Sequence, residues 1–403
     1  MDSCALGGLD LPAFATQKGT PFSIHDGPAL TTRLQELRTA LEGNLSLCGA
    51  VRSYPNPHLL RWMLPHLDGC IVRSGVELRL AVSVGYHPQR MDFIGPGKRD
   101  GELELAIGSG LASISLESEG ELERIDHVGH RLGRKAPVMV RLQLPRSTMD
   151  EESQPDCFGF DQGEALTLIT TLAGKTGCRY AGLFFGLDAA ILQGDGLQDS
   201  LRRALATTSD LARSLGQWPR RLLLAAHDLS ATRSNSGEAL DLSAIYREIS
   251  SLWLAFKSEH NPPTIDLVLE MGPSSGSRTT LHVTRVVAIK QTRYQEIGCI
   301  LDGHVPASIP PGGAINLSRP DEKELLPLHL TGLCSASSDG PTRTMLPLPQ
   351  VGDCIGIFQD GAYTGQTTAL FSHPTHAEYL VDGPDHVKTV RHVVDPSRLG
   401  VPP

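Results

Sequence analysis

The chain has 403 residues, 40% of them hydrophobic and 20% charged, which is the make-up of a soluble globular protein with one large domain or two ordinary ones. Its net charge of −9, with no lysine- or arginine-rich block to offset it, speaks against a general binder of nucleic acid or of an anionic membrane. No apolar stretch approaches the roughly 20 residues needed to cross a bilayer.

The N-terminus carries Asp2, Asp10 and Pro12 in place of a basic and then apolar leader, so a cytoplasmic protein is expected. The eight cysteines form no CxxC pair and no metal-ligand spacing, and they read as mostly buried thiols. Within residues 1–28, Pro21-Phe22-Ser23-Ile24-His25 predicts an edge strand, and Ala29–Leu41 has helical spacing. A regular alternation follows. Strands are expected near 49–52, 69–72, 92–94, 111–116, 137–144, 180–187, 221–226 and 265–270. Helices are expected over 56–66, 75–85, 101–109, 118–132, 161–176, 196–215 and 238–258, several opening on caps such as Ser74, Asp100, Ser118 and Asp161. Eight strands alternating with helices over about 240 residues fit a (β/α)8 TIM barrel, with a doubly wound open sheet as the competing arrangement. The pairs Arg202-Arg203 and Arg220-Arg221 read as ordinary solvated element ends.

After Gly272 the texture changes to short β-rich runs at 281–290, 298–301, 354–358 and 377–381, separated by Gly, Pro and Asp turns. Residues 305–314 read as a loop and 337–350 as irregular. The expected organisation is therefore α/β: a barrel over 29–275, and a β domain built from 1–28 and 276–403.

One stretch organises the chain: Gly49-Ala50-Val51-Arg52-Ser53-Tyr54-Pro55-Asn56-Pro57-His58. Pro55 and Pro57 forbid a continuous ladder or helix, so the pattern predicts a strand ending at Arg52, a turn, and then a helix. The segment resembles Ala-Val-Lys-Ala-Asn-Pro-Asn-Pro of the pyridoxal-phosphate decarboxylases of the ornithine/diaminopimelate type. Gly95-Pro96-Gly97-Lys98, Phe158-Gly159-Phe160-Asp161, Val351-Gly352-Asp353, Gly361-Ala362-Tyr363 and Leu380-Val381-Asp382-Gly383 resemble further segments of that family, in order, over most of the chain. The chain is identified as a degenerate member. The resemblance implies an alanine-racemase-like barrel (fold type III), a C-terminal β domain, and a homodimer with its active sites at the subunit interface.

The resemblance also implies departures at the site. Arg52 stands where the family has its Schiff-base lysine, and a guanidinium with a pKa above about 12 is not an imine-forming nucleophile. Ala225-Ala226-His227, followed by Asp228, aligns with the Gly-Gly-Gly phosphate loop, and Pro273 with a phosphate-binding arginine. Gly186 aligns with the ring-stacking histidine, Ile71 with an aspartate and Arg73 with an alanine. Glu270 matches the carboxylate that pairs with the pyridine nitrogen, Arg141 an arginine at the end of the fifth strand, Tyr363 a phosphate-contacting tyrosine, and Cys334 the cysteine from the partner subunit. From this pattern no cofactor is expected, pyridoxal phosphate having been lost, and no metal.

Each position keeps a plainer alternative. Arg52 either binds a substrate carboxylate or is held by a neighbouring acid. His227 and Asp228 form an acid–base pair only if the strand has ended, since adjacent strand residues face opposite ways. Cys334 is a nucleophile or a buried thiol. Two functions are expected from the sequence. In one, a cofactor-independent enzyme (lyase, isomerase or cyclase) acts on a small carboxylated, amino-acid-like molecule. Arg52, Arg73, Arg141, Asp228 and Tyr363 would bind it, while Glu270, His227 and Cys334 would carry the chemistry. In the other, the chain is a non-catalytic pseudoenzyme that binds or regulates, with dimerisation with an active homologue as one route.

Overall fold

In a computed structural model, the structure describes residues 5–42, 45–144, 158–187, 196–226, 241–271, 278–291, 296–306, 309, 312–333, 340–359 and 375–393. The chain divides into two units, one of residues 34–272 and one of 1–33 with 273–403.

The first unit is built on eight strands: β1 (Leu45–Ala50), β2 (Gly69–Val72), β3 (Met91–Phe93), β4 (Ser113–Leu116), β5 (Ala136–Leu142), β6 (Cys178–Leu187), β7 (Arg221–Ala226) and β8 (Asp266–Met271). They pair in sequence order, all parallel, and β8 returns to β1, which closes the barrel. The open-sheet alternative is thereby removed. Barrel strands are covered on both faces, which is why they read as continuous apolar runs and not as alternating ones. Cys48, Ile71, Met139, Phe184, Leu223 and Val268 meet in the barrel interior. Gly182 of β6 is required by close approach, because a Cβ there would lie 1.8 Å from the Arg221 carbonyl oxygen.

Helices follow the first seven strands: α1 (Pro57–Met63), α2 (Gly75–Val84), α3 (Asp100–Ser109), α4 (Glu119–Arg131), α5 (Gln162–Ala173), α6 (Gly196–Leu215) and α7 (Leu242–His260). Two of the predicted caps act as such. The Ser74 hydroxyl accepts from the Glu77 amide at 3.2 Å, and Asp161 exchanges hydrogen bonds with Glu164 in a capping box at 2.8 and 3.0 Å. Ser118 occupies the cap position without a side-chain bond, and Asp100 lies inside the helix, one residue beyond the cap Arg99.

At the barrel's N-terminal end, Arg221 makes a two-pronged bond to the buried Asp92 at 2.8 and 2.7 Å and also pairs with Asp266. Ser113 donates to Asp92, and Ser46 to Asp266 at 2.7 Å. Five strands are thus tied together by polar bonds at one end.

The second unit is mainly an antiparallel sheet. Its strand order is Thr342–Leu346, Leu326–Thr331, Ile297–Leu301, Thr280–Gln291, Phe22–Asp26, Ala377–Val381, Val387–Arg391, with Cys354–Gln359 joining Thr280–Gln291 to Ala314–Asn316. Phe22–Asp26 is an interior strand between two partners, not the predicted edge strand. It follows a helix, Leu11–Lys18, which the sequence reading missed. Phe14 of that helix, Phe22 and Tyr379 form edge-on aromatic pairs at 5.0–5.7 Å. Residues read as irregular over 337–350 contain the strand Thr342–Leu346, and the expected loop 305–314 leads into Ala314–Asn316.

Candidate functional site

The C-terminal ends of the barrel strands carry two clusters of buried charge. The first begins where β1 stops. Arg52 is not the last residue of the strand, which the sequence predicted it to be. It sits in a single 3-10 turn, Val51–Ser53, closed by Tyr54 N–H donating to the Val51 carbonyl at 3.2 Å. Pro55 and Pro57 force this early ending, and Asn56 then caps α1 by accepting from the His58 amide at 2.9 Å. The turn aims the guanidinium along the barrel rim. Because β8 lies beside β1, Glu270 is within reach, and the two side chains form an ion pair in which Arg52 is 9% and Glu270 2% exposed.

Glu77, in the first turn of α2, belongs to the same group. Its carboxylate accepts from the Arg73 backbone amide at 2.8 Å. Desolvation is the largest influence on it and raises its pKa. The Arg73 amide, Arg52 and Arg73 pull the other way, while Glu270 adds to the rise. Arg52, Arg73, Glu77 and Glu270 therefore form one electrostatic unit of two cations and two carboxyls.

The second cluster lies past β3, β4 and β5. Arg141 donates to Glu117 at 3.0 Å, and its guanidinium stands 5.1 Å from the Phe184 ring and 5.0 Å from Phe158. Glu117 also accepts from Ser115 Oγ at 3.0 Å and from the Gly95 amide at 3.2 Å. Lys98 is the one buried lysine among the described residues. Its ammonium donates to the carbonyls of Gly95 and Ser115, both at 2.7 Å, and to Glu121 at 3.2 Å. Those partners use all three of its donors. Burial lowers the Lys98 pKa, against the pull of Glu121 and Glu117.

The structure thus brings Arg52 and Glu270 together, with Arg73 beside them, and gives Arg141 to Glu117. His227, Asp228, Cys334 and Tyr363 lie outside the described residues, as does Pro273. Sequence reasoning missed Glu77, Glu117 and Glu121. The signal for Glu77 was the Ser74-x-x-Glu77 capping pattern, and for Glu117 a carboxylate directly after the buried run Ser113–Leu116. Among the described residues no group of three His, Cys, Asp or Glu could hold a metal, and no helix is long and apolar enough to cross a membrane.

A closed parallel barrel with ionisable side chains gathered at the C-terminal ends of its strands is the arrangement of a (β/α)8 protein whose chemistry sits at that face. The sequence profile described as "Pyridoxal-dependent decarboxylase, pyridoxal binding domain" matches residues 29–273, and the chain belongs to that family. It is similar to the L-glutamyl-BtrI acyl-carrier protein decarboxylase of Niallia circulans, 23% identical over 406 residues, covering 93% of this chain and 92% of that protein. It is also 23% identical over 385 residues to the diaminopimelate decarboxylase of Mycobacterium tuberculosis, covering 89% of this chain and 85% of that one. In fold it resembles the diaminopimelate decarboxylase of Helicobacter pylori complexed with L-lysine, with a TM-score of 0.80, 20% identity, and coverage of 96% and 97%. The M. jannaschii enzyme in co-complex with L-lysine gives a TM-score of 0.83 at 19% identity, covering 96% of this chain and 93% of that one.

These findings overturn the expectation that the chain has no cofactor. Its family is defined by a pyridoxal-binding domain, and the match runs through the whole barrel. The expectation joined two separate matters, the covalent bond and the binding of the cofactor. A missing lysine bears only on the bond. His227, Asp228 and Pro273, on which part of that expectation stood, lie outside the described residues. For the covalent bond itself the described residues do not fit. Position 52 holds a guanidinium paired with Glu270, and the buried Lys98 has every donor engaged.

Proposed function

We propose that this member of the family has given up decarboxylation through a lysine imine, and that it holds a small carboxylated, amino-acid-like molecule at the barrel mouth. The observation that carries this reading is the Arg52–Glu270 pair: a permanent cation, with no nucleophilic lone pair, is buried against a carboxylate at the rim. The chemistry open to the chain's own residues is then orientation and proton transfer. Arg52 and Arg73 supply positive charge for a ligand carboxylate. Glu77, with its pKa raised by desolvation, keeps its proton to higher pH than an ordinary carboxyl and is suited to donating it. A second reading, a non-catalytic binding or regulatory protein, is favoured by the internal pairing of both Arg52 and Arg141, which leaves less charge for a substrate. The five described cysteines are free thiols, which supports a cytoplasmic setting in either case.

The test is to incubate the protein with pyridoxal phosphate, reduce with borohydride and map adducts by peptide mass spectrometry, alongside a carbon dioxide release assay on diaminopimelate, ornithine and glutamate. The expected result is no pyridoxyl-lysine at the barrel mouth and no release. A single modified lysine there, together with turnover, refutes the proposal.

A further inference from the structure

At the opposite end of the barrel, a cavity of about 640 Å³ opens where β5, β6, β7 and β8 begin. This lies within the roughly 300–1,000 Å³ of small-molecule sites. Ile107, Leu111 and Pro137 give it apolar walls, and its charged lining is Arg134, Lys135, Arg179, Arg220, Arg221 and Asp266. Five cations thus face one carboxylate. Arg221 is already matched by Asp92 and Asp266, so its role is structural. Among the described residues, no carboxylate comes within 4.0 Å of Arg134, Lys135, Arg179 or Arg220. Arg134 is held in place by a bond to the Gly108 carbonyl at 2.6 Å. Partial burial and the nearby Arg220 push the Arg179 pKa down, the sign of positive charge crowded without an internal counterion. All this occurs in a chain of net charge −9, where a basic concavity is set against its background and focuses the local field on anions.

We propose that this cavity is a binding site for a small polyanion carrying phosphate or carboxylate groups. The strand-start pair Arg220-Arg221, which in the sequence looks like an ordinary solvated end, divides its work. Arg221 turns inward to tie the strands, and Arg220 faces the ligand alongside Arg179. The site is separate from the barrel mouth: Ala136 and Leu142 lie at opposite ends of β5, about 20 Å apart at the usual strand rise. It does not depend on the function proposed for that mouth.

The experiment uses inorganic pyrophosphate and, in a second arm, citrate, titrated calorimetrically into the full chain at low and at high salt. Amide hydrogen exchange is followed at 134–136, 179–181 and 220–221. One equivalent of at least one probe is expected to bind, more weakly at high salt, with new protection in those segments. The exposed substitutions Arg179→Gln and Arg220→Gln should each weaken binding about tenfold or more, as expected for a charge-assisted hydrogen bond. Arg213→Gln, on the exposed face of α6 and paired with Asp210, should leave binding unchanged. An unchanged tryptophan-monitored unfolding midpoint shows that the variants remain folded. No binding of either probe, binding equally tight in both the Arg179→Gln and the Arg220→Gln variants, or protection confined to the barrel mouth would overturn the proposal.

Discussion

Removing one partner of the Arg52–Glu270 pair tests both the geometry and the functional reading. The two side chains are 9% and 2% exposed, so Arg52→Met leaves the Glu270 carboxylate in a site that water scarcely reaches. Removing one partner of a buried ion pair costs about 3–5 kcal/mol. Glu270→Gln takes the paired carboxylate away from Arg52 and should cost a similar amount. Replacing both removes the pair as a unit, so the double variant should lose much less than the sum, with a coupling of at least about 1.5 kcal/mol. Urea unfolding at pH 7, read by tryptophan fluorescence, measures the two single losses and the coupling. Trp62, Trp218 and Trp253 all belong to the barrel unit, so the signal follows that unit alone. Additive single-variant losses below about 1 kcal/mol would refute a buried, coupled pair.

Three further outcomes are expected. Lys98→Met should lower barrel stability by about 3–5 kcal/mol, since it takes the ammonium away from Glu121 and from the carbonyls of Gly95 and Ser115; a loss under about 1 kcal/mol in the same urea assay would contradict the network. The β unit should weaken in acid, because burial, with a smaller push from His304, holds the His282 pKa at about 4 against 6.5 in the open chain, while Asp302 and Glu378 oppose the shift. Between those values the unfolded chain binds the extra proton, so stability falls as the pH drops through the window, by up to about 3 kcal/mol. Hydrogen exchange of Thr280–Gln291 from pH 7 to pH 4 reads this, and His282→Asn should flatten the dependence. The family resemblance implies a homodimer, so light scattering at micromolar concentration should give twice the chain mass of 43.4 kDa; a monomer contradicts it.

How far the sequence could be read depended on how local each signal was. The barrel strands are uniformly buried and their helices are amphipathic, so alternation alone marked their number and order. The strand Thr342–Leu346 escaped because its inward positions are Thr342, Thr344 and Leu346, and threonine does not register as apolar. The His376 ring lies 2.8 Å from Ser23 Oγ, a partner 353 positions away. Contacts of that kind exist only once the sheet has assembled.

The site shows the same limit with more consequence. Seen alone, Arg52 is a cation at a strand end, equally suited to a ligand and to an internal acid. Closure supplies the internal acid, because β8 returning to β1 places Glu270 beside it. Glu117 does the same for Arg141 from the neighbouring strand end. The rim arginines singled out just after β1 and on β5 thus each have a carboxylate partner, supplied by or just after an adjacent strand. A ligand carboxylate that engages Arg52 must displace Glu270 or share the guanidinium with it, so the Arg52–Glu270 coupling energy also sets a cost for ligand entry. A strong coupling would turn the mouth toward ligands that bring a proton donor for Glu270 as well as an acceptor for Arg52. An amino acid, with its ammonium beside its carboxylate, meets both conditions.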